Sequence, residues 1–148
     1  MKRLILLMAP LLFSVAGFAQ RLSITDICYY DTSTDCIESY SGQQLLNRLA
    51  RKGFTITESV RGYDYEEECY YEVYTLYQGS TNTLITVNEI VTQIEFNSAE
   101  SAMAFAAEAV ELGYISWNGS RYAFTRPHRM YGIDSIFVHG KYVDVESL

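Results

Sequence analysis

Two stretches of the chain carry apolar residues at helical spacing, and they constrain the fold more than any other feature. In the first, Leu45 and Leu49 recur on one helical face. Ser41, with Gln44 three residues later, fits a capping box that would start this helix. Gly53 follows as a helix-ending residue. We expect a first helix between Ser41 and Gly53.

The second helical stretch is rich in small residues. It begins near Asn97 or Ser98 and stops at Gly113. Its apolar stripe consists of Ala99, Ala102, Met103, Ala106, Ala109 and Val110. Because alanine adds little bulk, this helix is expected to lie close against a sheet.

Most of the remaining sequence has the composition of strands. Residues 70–77 are rich in Tyr, Val and Thr, and residues 83–96 change their apolar face near Asn88 and Glu89, which predicts a bulge or a hairpin. Strands that follow one another through short turns pair antiparallel, and two amphipathic helices must cover an apolar face. The predicted fold class is α+β, a mainly antiparallel β-sheet with two helices packed on one face.

The order of elements repeats along the chain. Gly53-Phe54 corresponds to Gly113-Tyr114, and Tyr77-Gln78-Gly79 corresponds to Val138-His139-Gly140. Such a period indicates an internal repeat. We predict two related β-α-β-β-β halves, about residues 21–88 and 89–148.

The first residues have the layout of a secretory signal peptide. Lys2 and Arg3 precede an apolar run, and Gly17 and Ala19 lie before a cut at Gln20. Pro10 interrupts this run, which is shorter than the roughly 20 residues of a spanning helix. We predict a signal peptide at residues 1–19 and a single exported α+β domain at residues 20–148. The domain would be periplasmic or secreted, without stable membrane insertion after signal cleavage, and the leader's style is bacterial.

The charge of the domain excludes one class of partner. The chain has 11 basic and 18 acidic residues, and loss of Lys2 and Arg3 leaves nine basic residues and a net charge of −9. A strongly acidic domain repels phosphate backbones, so nucleic acid is not expected as a partner.

Three cysteines lie in the exported part. Cys28 and Cys36 flank a polar, turn-rich loop, and a disulfide between them is the first choice in an oxidising compartment, although three cysteines allow three pairings. Cys69 follows three glutamates, which disfavour its thiolate and argue against a nucleophile.

Thirteen tyrosines are the compositional anomaly. Tyr70 and Tyr74 share one face of a predicted strand, and Tyr71 and Tyr77 share the other, so one pair is expected to be exposed. Exposed tyrosine offers a large contact area with few rotors. Tyr70 and Tyr74 are therefore candidate binding residues for a protein or a glycan. Ordinary packing on a sheet surface is the alternative interpretation.

A dense basic patch, Arg126-Pro127-His128-Arg129, is the second candidate surface. Arginine forks suit carboxylates and phosphates, so Arg126, His128 and Arg129 are candidate binding residues for an anionic ligand or an acidic surface. A solvated loop is the alternative. The two histidines lack zinc spacing and the acidic run 64–68 lacks a calcium pattern, so neither a metal nor a cofactor is expected.

The sequence contains no recognisable catalytic or cofactor motif, and no catalytic residue is assigned. We therefore predict a non-enzymatic binding or interaction module of the bacterial cell envelope or secreted space, which contacts a protein or glycan through its tyrosine-rich strand and basic loop. One alternative is a hydrolase of envelope polymers, which requires a deep pocket joining His128 or Cys69 to carboxylates. The other is a structural subunit of an envelope assembly.

Overall fold

A computed structural model describes residues 21–125 and 133–147. The predicted signal peptide, residues 1–19, and the basic loop with Arg126, His128 and Arg129 lie outside the described residues. Within the described part of the chain, no helix has the length and apolarity needed to cross a membrane.

The fold is α+β and its main sheet is antiparallel throughout, as the sequence predicts. A 3₁₀ turn, Ile24–Asp26, precedes a two-stranded ribbon, β1 and β2. In residues 21–125 and 133–147 the remaining elements are two helices and eight strands, in the sheet order β3-β4-β5-β6-β10-β9-β8-β7. The bounds are β1 Cys28–Asp31, β2 Cys36–Ser39, α1 Gly42–Arg51, β3 Thr55–Asp64, β4 Cys69–Gln78, β5 Thr83–Asn88, β6 Ile90–Glu95, α2 Ala99–Glu111, β7 Ile115–Trp117, β8 Tyr122–Phe124, β9 Ile133–His139 and β10 Tyr142–Ser147.

The two helices begin differently. The Ser98 side chain caps α2 by accepting a hydrogen bond from the Ser101 backbone N–H at 3.1 Å. The capping box predicted for α1 is wrong, because the Ser41 side chain makes no capping hydrogen bond. Instead, the Gly42 N–H donates to the carbonyl of Glu89 at 2.7 Å, which fixes the start of α1 to the turn between β5 and β6.

Both helices end in the same way. Gly53 and Gly113 have positive φ angles of 97° and 81°, a conformation that glycine adopts without penalty. The N–H of the next residue then donates back into the helix, from Phe54 to Leu49 and from Tyr114 to Ala109, each at 3.0 Å. The predicted helix ends are confirmed.

The helices and one face of the sheet enclose a single core. Leu45 and Leu49 of α1 are fully buried, and so are Ala102, Ala106 and Ala109 of α2. The alanine face brings the α2 backbone close to the sheet, where a larger side chain would overlap its neighbours.

The strand order has an internal symmetry. Helix α1 precedes the meander β3–β6, and α2 precedes the meander β7–β10. The two meanders join where β6 pairs with β10. Counted from either edge towards this junction, the strands follow chain order, β3 to β6 on one side and β7 to β10 on the other. The predicted boundary between the two halves, at residues 88 and 89, falls in the β5–β6 turn. In the structure the first meander ends one strand later, after β6. A common origin of the two halves stays a prediction.

The predicted Cys28–Cys36 disulfide is not formed, and all three cysteines are free. In the β1–β2 ribbon Cys28 lies opposite Ser39, whereas Cys36 lies opposite Asp31 at the other end. Three residue steps separate the two cysteines by about 10 Å, and a bridge requires Cα atoms within about 7 Å. Burial raises the pKa of the Cys28 thiol, which makes it an unreactive core residue.

The substitution Ala106→Leu should destabilise the protein, because the added carbons have no space between α2 and the sheet. We expect a loss of about 1–3 kcal/mol in the free energy of unfolding, measured by urea denaturation. Met103, which the sequence predicts in the apolar stripe of this helix, is half exposed, so Met103→Leu is the matched control and should change this free energy by less than about 0.5 kcal/mol. Equal effects of the two substitutions would contradict the packing of α2 described above.

Candidate functional site: the tyrosine arm and its groove

The hairpin of β3 and β4 extends past the rest of the sheet. Strand β4 pairs with β5 only from Tyr74 to Gln78. From Cys69 to Val73, β4 has β3 as its only strand partner among the described residues. We call this two-stranded extension, residues 60–73, the tyrosine arm.

Cross-strand aromatic contacts hold the arm together, because a two-stranded hairpin alone is only marginally stable in water. The rings of Tyr63 and Tyr70 meet edge to face with centroids 4.9 Å apart. The Tyr71 ring lies over the backbone of Gly62, its partner in register. A Cβ atom at position 62 would overlap the Tyr71 hydroxyl group, so glycine is what allows this contact.

The tip of the arm is acidic and has a defined shape. The Asp64 carboxylate accepts hydrogen bonds from the backbone N–H groups of Glu66 and Glu67, at 2.9 and 3.1 Å. Glu68 has a φ of 52°, which returns the chain to β4. Three consecutive glutamates are therefore presented to solvent at the end of the arm.

A polar cluster lies at the base of the arm, around Glu72. Its carboxylate accepts a hydrogen bond from the Ser59 hydroxyl at 3.0 Å, and the Arg61 guanidinium lies 3.7 Å away. The hydrogen bond from the Tyr74 hydroxyl, followed by that from Ser59, lowers the pKa of Glu72. Glu72 is therefore held in its ionised form.

A groove of about 1200 Å³ separates the arm from the start of α1. Its inner end contains Tyr74, which packs against the core, and its outer end contains Tyr70, which is 76% exposed. The opposite wall is formed by α1 and the β5–β6 turn. The lining residues on that wall are Gly42, Gln43, Leu46, Asn88 and Glu89.

The structure thus brings Tyr70 and Tyr74 to one groove, consistent with their shared strand face. The prediction that one whole pair is exposed is wrong, because Tyr74 packs against the core and Tyr77 is half-buried. Sequence reasoning missed Tyr63 and Tyr65, which extend the exposed aromatic surface. The ring centroids of this pair are 4.9 Å apart, and Tyr65 is 85% exposed. The signal that indicates them is the spacing of tyrosines on either side of the acidic turn. The binding roles of Arg126, His128 and Arg129 stay predictions.

The groove also contains Cys69, together with carboxylates of Asp64, Glu72 and Glu89. A general acid in a hydrolase needs a raised pKa, and that of Glu72 is lowered. His139 belongs to a different surface: it lies 2.6 Å from Asp144 at the end of β9. In residues 21–125 and 133–147, no group of three or more potential ligands is arranged to hold a metal ion.

No protein-family model, curated protein or solved structure matches this chain. Its function has to be inferred from the arm and groove themselves. Both combine exposed aromatic rings with ionised carboxylates, and this chemistry suits the binding of an amphipathic or cationic partner.

The substitution Gly62→Ala should loosen the arm, because the new methyl group displaces the Tyr71 ring. We expect backbone amides of residues 60–73 to exchange with deuterium severalfold faster, while amides of β5 and β6 keep their rates. Gly79→Ala is the control, since its Cβ atom would make only an ordinary contact of 3.7 Å with Tyr77. Unchanged exchange in the arm of Gly62→Ala would show that the Tyr71–Gly62 contact does not support it.

The substitution Tyr74→Phe should raise the pKa of Glu72, because it removes the principal hydrogen bond to the ionised carboxylate. A group with a lowered folded pKa stabilises the arm above its unfolded pKa and loses this contribution as the pH falls through the folded value. NMR titration of the Glu72 carboxyl measures the change. Tyr77→Phe, whose hydroxyl donates to Asn82, should leave it unaltered. If Glu72 titrated identically in the two variants, the Tyr74 hydroxyl would not be the group that lowers its pKa.

Proposed function

We propose that this protein is an exported, non-enzymatic binding module of the bacterial cell envelope or secreted space, and that its tyrosine arm contacts another protein. The observation that carries the proposal is the position of four tyrosines, Tyr63, Tyr65, Tyr70 and Tyr71, on a two-stranded extension outside the core. Tyr65 and Tyr70 leave most of their surface exposed to solvent, where a partner can contact it.

Tyrosine suits such a contact for physical reasons. Its ring buries a large area when a partner arrives, and it has few rotors to immobilise. The contacts of Tyr63 with Tyr65 and Tyr70 already restrict the three rings in the free protein. Binding therefore costs less conformational entropy than it would with three independent side chains.

The charge of the arm favours a protein over an anionic polymer. Residues 60–73 contain five carboxylates and a single cation, Arg61, which pairs with Glu72. An acidic surface repels nucleic acids and acidic glycans, and it attracts lysine- and arginine-bearing polypeptides.

Binding accounts for the groove better than hydrolysis does. Proton donation to a leaving group needs a carboxyl that is neutral, whereas Glu72 is ionised and pairs with Arg61. The groove runs along the arm from Tyr74 to Tyr70, which suits an extended ligand.

Photo-crosslinking tests the proposal in the cells that make the protein. A benzoylphenylalanine at position 70 should give a discrete adduct with another protein, because Tyr70 lies at the mouth of the groove. The control position is Trp117, an exposed aromatic residue on β7 at the opposite edge of the sheet, and it should not give this adduct.

Three results would overturn the proposal. Equal yields of the adduct from positions 70 and 117 would mean that the arm is not the contact surface. An adduct with a second copy of the chain would favour a structural subunit. Binding to purified envelope glycan that is lost in Tyr70→Ala, without a protein adduct, would replace the protein partner by a glycan.

A further inference from the structure

Strand β3 forms an open edge of the main sheet. In the described part of the chain no strand lies beyond it, so its outer backbone groups lack strand partners. It is ten residues long and largely exposed, and the side chains of Ile56 and Val60 are about half exposed. The opposite edge strand, β7, has only three residues.

Natural proteins usually protect an edge of this length. Proline, lysine, bulges and a covering element are the common devices. Strand β3 contains neither proline nor lysine, and its single irregularity lies between Ile56 and Glu58. From Glu58 to Asp64 the pairing with β4 is regular, which leaves seven residues of uninterrupted edge.

The charge along this edge indicates what pairs with it. Glu58 and Asp64 lie at the two ends of the regular segment, and the three glutamates of the turn continue the negative charge. The single cation, Arg61, is engaged by Glu72. A second copy of the chain would bring the same carboxylates against these, which disfavours self-pairing.

We propose that β3 takes up an extended, lysine- or arginine-bearing segment of a partner protein as an added strand. This inference rests on the proposed function and specifies its mode of binding. Main-chain hydrogen bonds to the edge would supply affinity. Because alternate side chains of a strand point to opposite faces, the lysines or arginines of the segment would lie on the face of β3 that carries Glu58 and Val60. The residues between them would face the groove with Tyr70 and Tyr74.

A designed peptide tests this mode. The probe is an eight-residue peptide of alternating lysine and valine, and the control is the same peptide with glutamate in place of lysine. Isothermal titration should give a Kd of about 1 mM or tighter for the lysine peptide and at least tenfold weaker binding for the glutamate peptide. Amides on the outer edge of β3 should exchange more slowly when the lysine peptide is bound.

A pair of variants separates strand addition from other contacts. Val60→Lys places a cation on the edge and should weaken binding of the lysine peptide at least tenfold. Val60→Thr keeps an uncharged residue of high strand propensity and should bind as the unaltered protein does.

The results distinguish failure of this mode from failure of the proposed function. If the lysine peptide bound but the amides of β3 did not exchange more slowly, strand addition would be overturned. The proposed function, a contact through the arm, would not be affected by that result. Equal binding of both peptides, or no binding of either, would overturn the basic added strand, and the crosslinking at position 70 would still decide the proposed function independently. If the amides of β3 exchanged more slowly at higher protein concentration without any peptide, the edge would be assigned to pairing with a second copy of the chain.

Discussion

The pairing of β4 with β5 ends at Tyr74. Because it ends there, the candidate site lies on a two-stranded arm outside the main sheet. Beyond Tyr74, the described residues give β3 and β4 no further strand partner, so each side chain there either contacts its cross-strand neighbour or faces solvent. Stability then depends on the Tyr63–Tyr70 and Tyr71–Gly62 contacts in place of a core. The same aromatic rings that hold the arm are thus available to a partner.

Local patterns in the sequence predict much of the fold. Ser98 and Gly113 mark the ends of α2 because a cap and a positive φ angle depend on neighbouring residues alone. The change of face near Glu89 predicts a bulge or a hairpin, and the structure has the β5–β6 hairpin there, where Glu89 has a φ of 63°. Strand parity likewise places Tyr70 and Tyr74 on one face of β4.

The wrong predictions concern features that depend on strand register or on contacts between residues far apart in the sequence. Cys28 and Cys36 flank a suitable loop, yet the register of β1 and β2 puts them at opposite ends of the ribbon. Helix α1 has Ser41 as its N-cap residue, as predicted, but in place of the predicted capping box the Gly42 N–H donates to the Glu89 carbonyl, which no local pattern around Ser41 indicates. The arm itself depends on where β5 stops relative to β4, so the spacing of Tyr63 and Tyr65 beside the acidic turn does not by itself show that they lie outside the main sheet.

The most direct test of the account is NMR cross-saturation between the labelled protein and the partner that it crosslinks. Transfer of saturation reports which backbone amides lie against the other molecule. The account predicts that the loss of signal is concentrated in residues 60–73 and along β3. Loss concentrated on β7 and β8 at the far edge, with the arm unaffected, would contradict it.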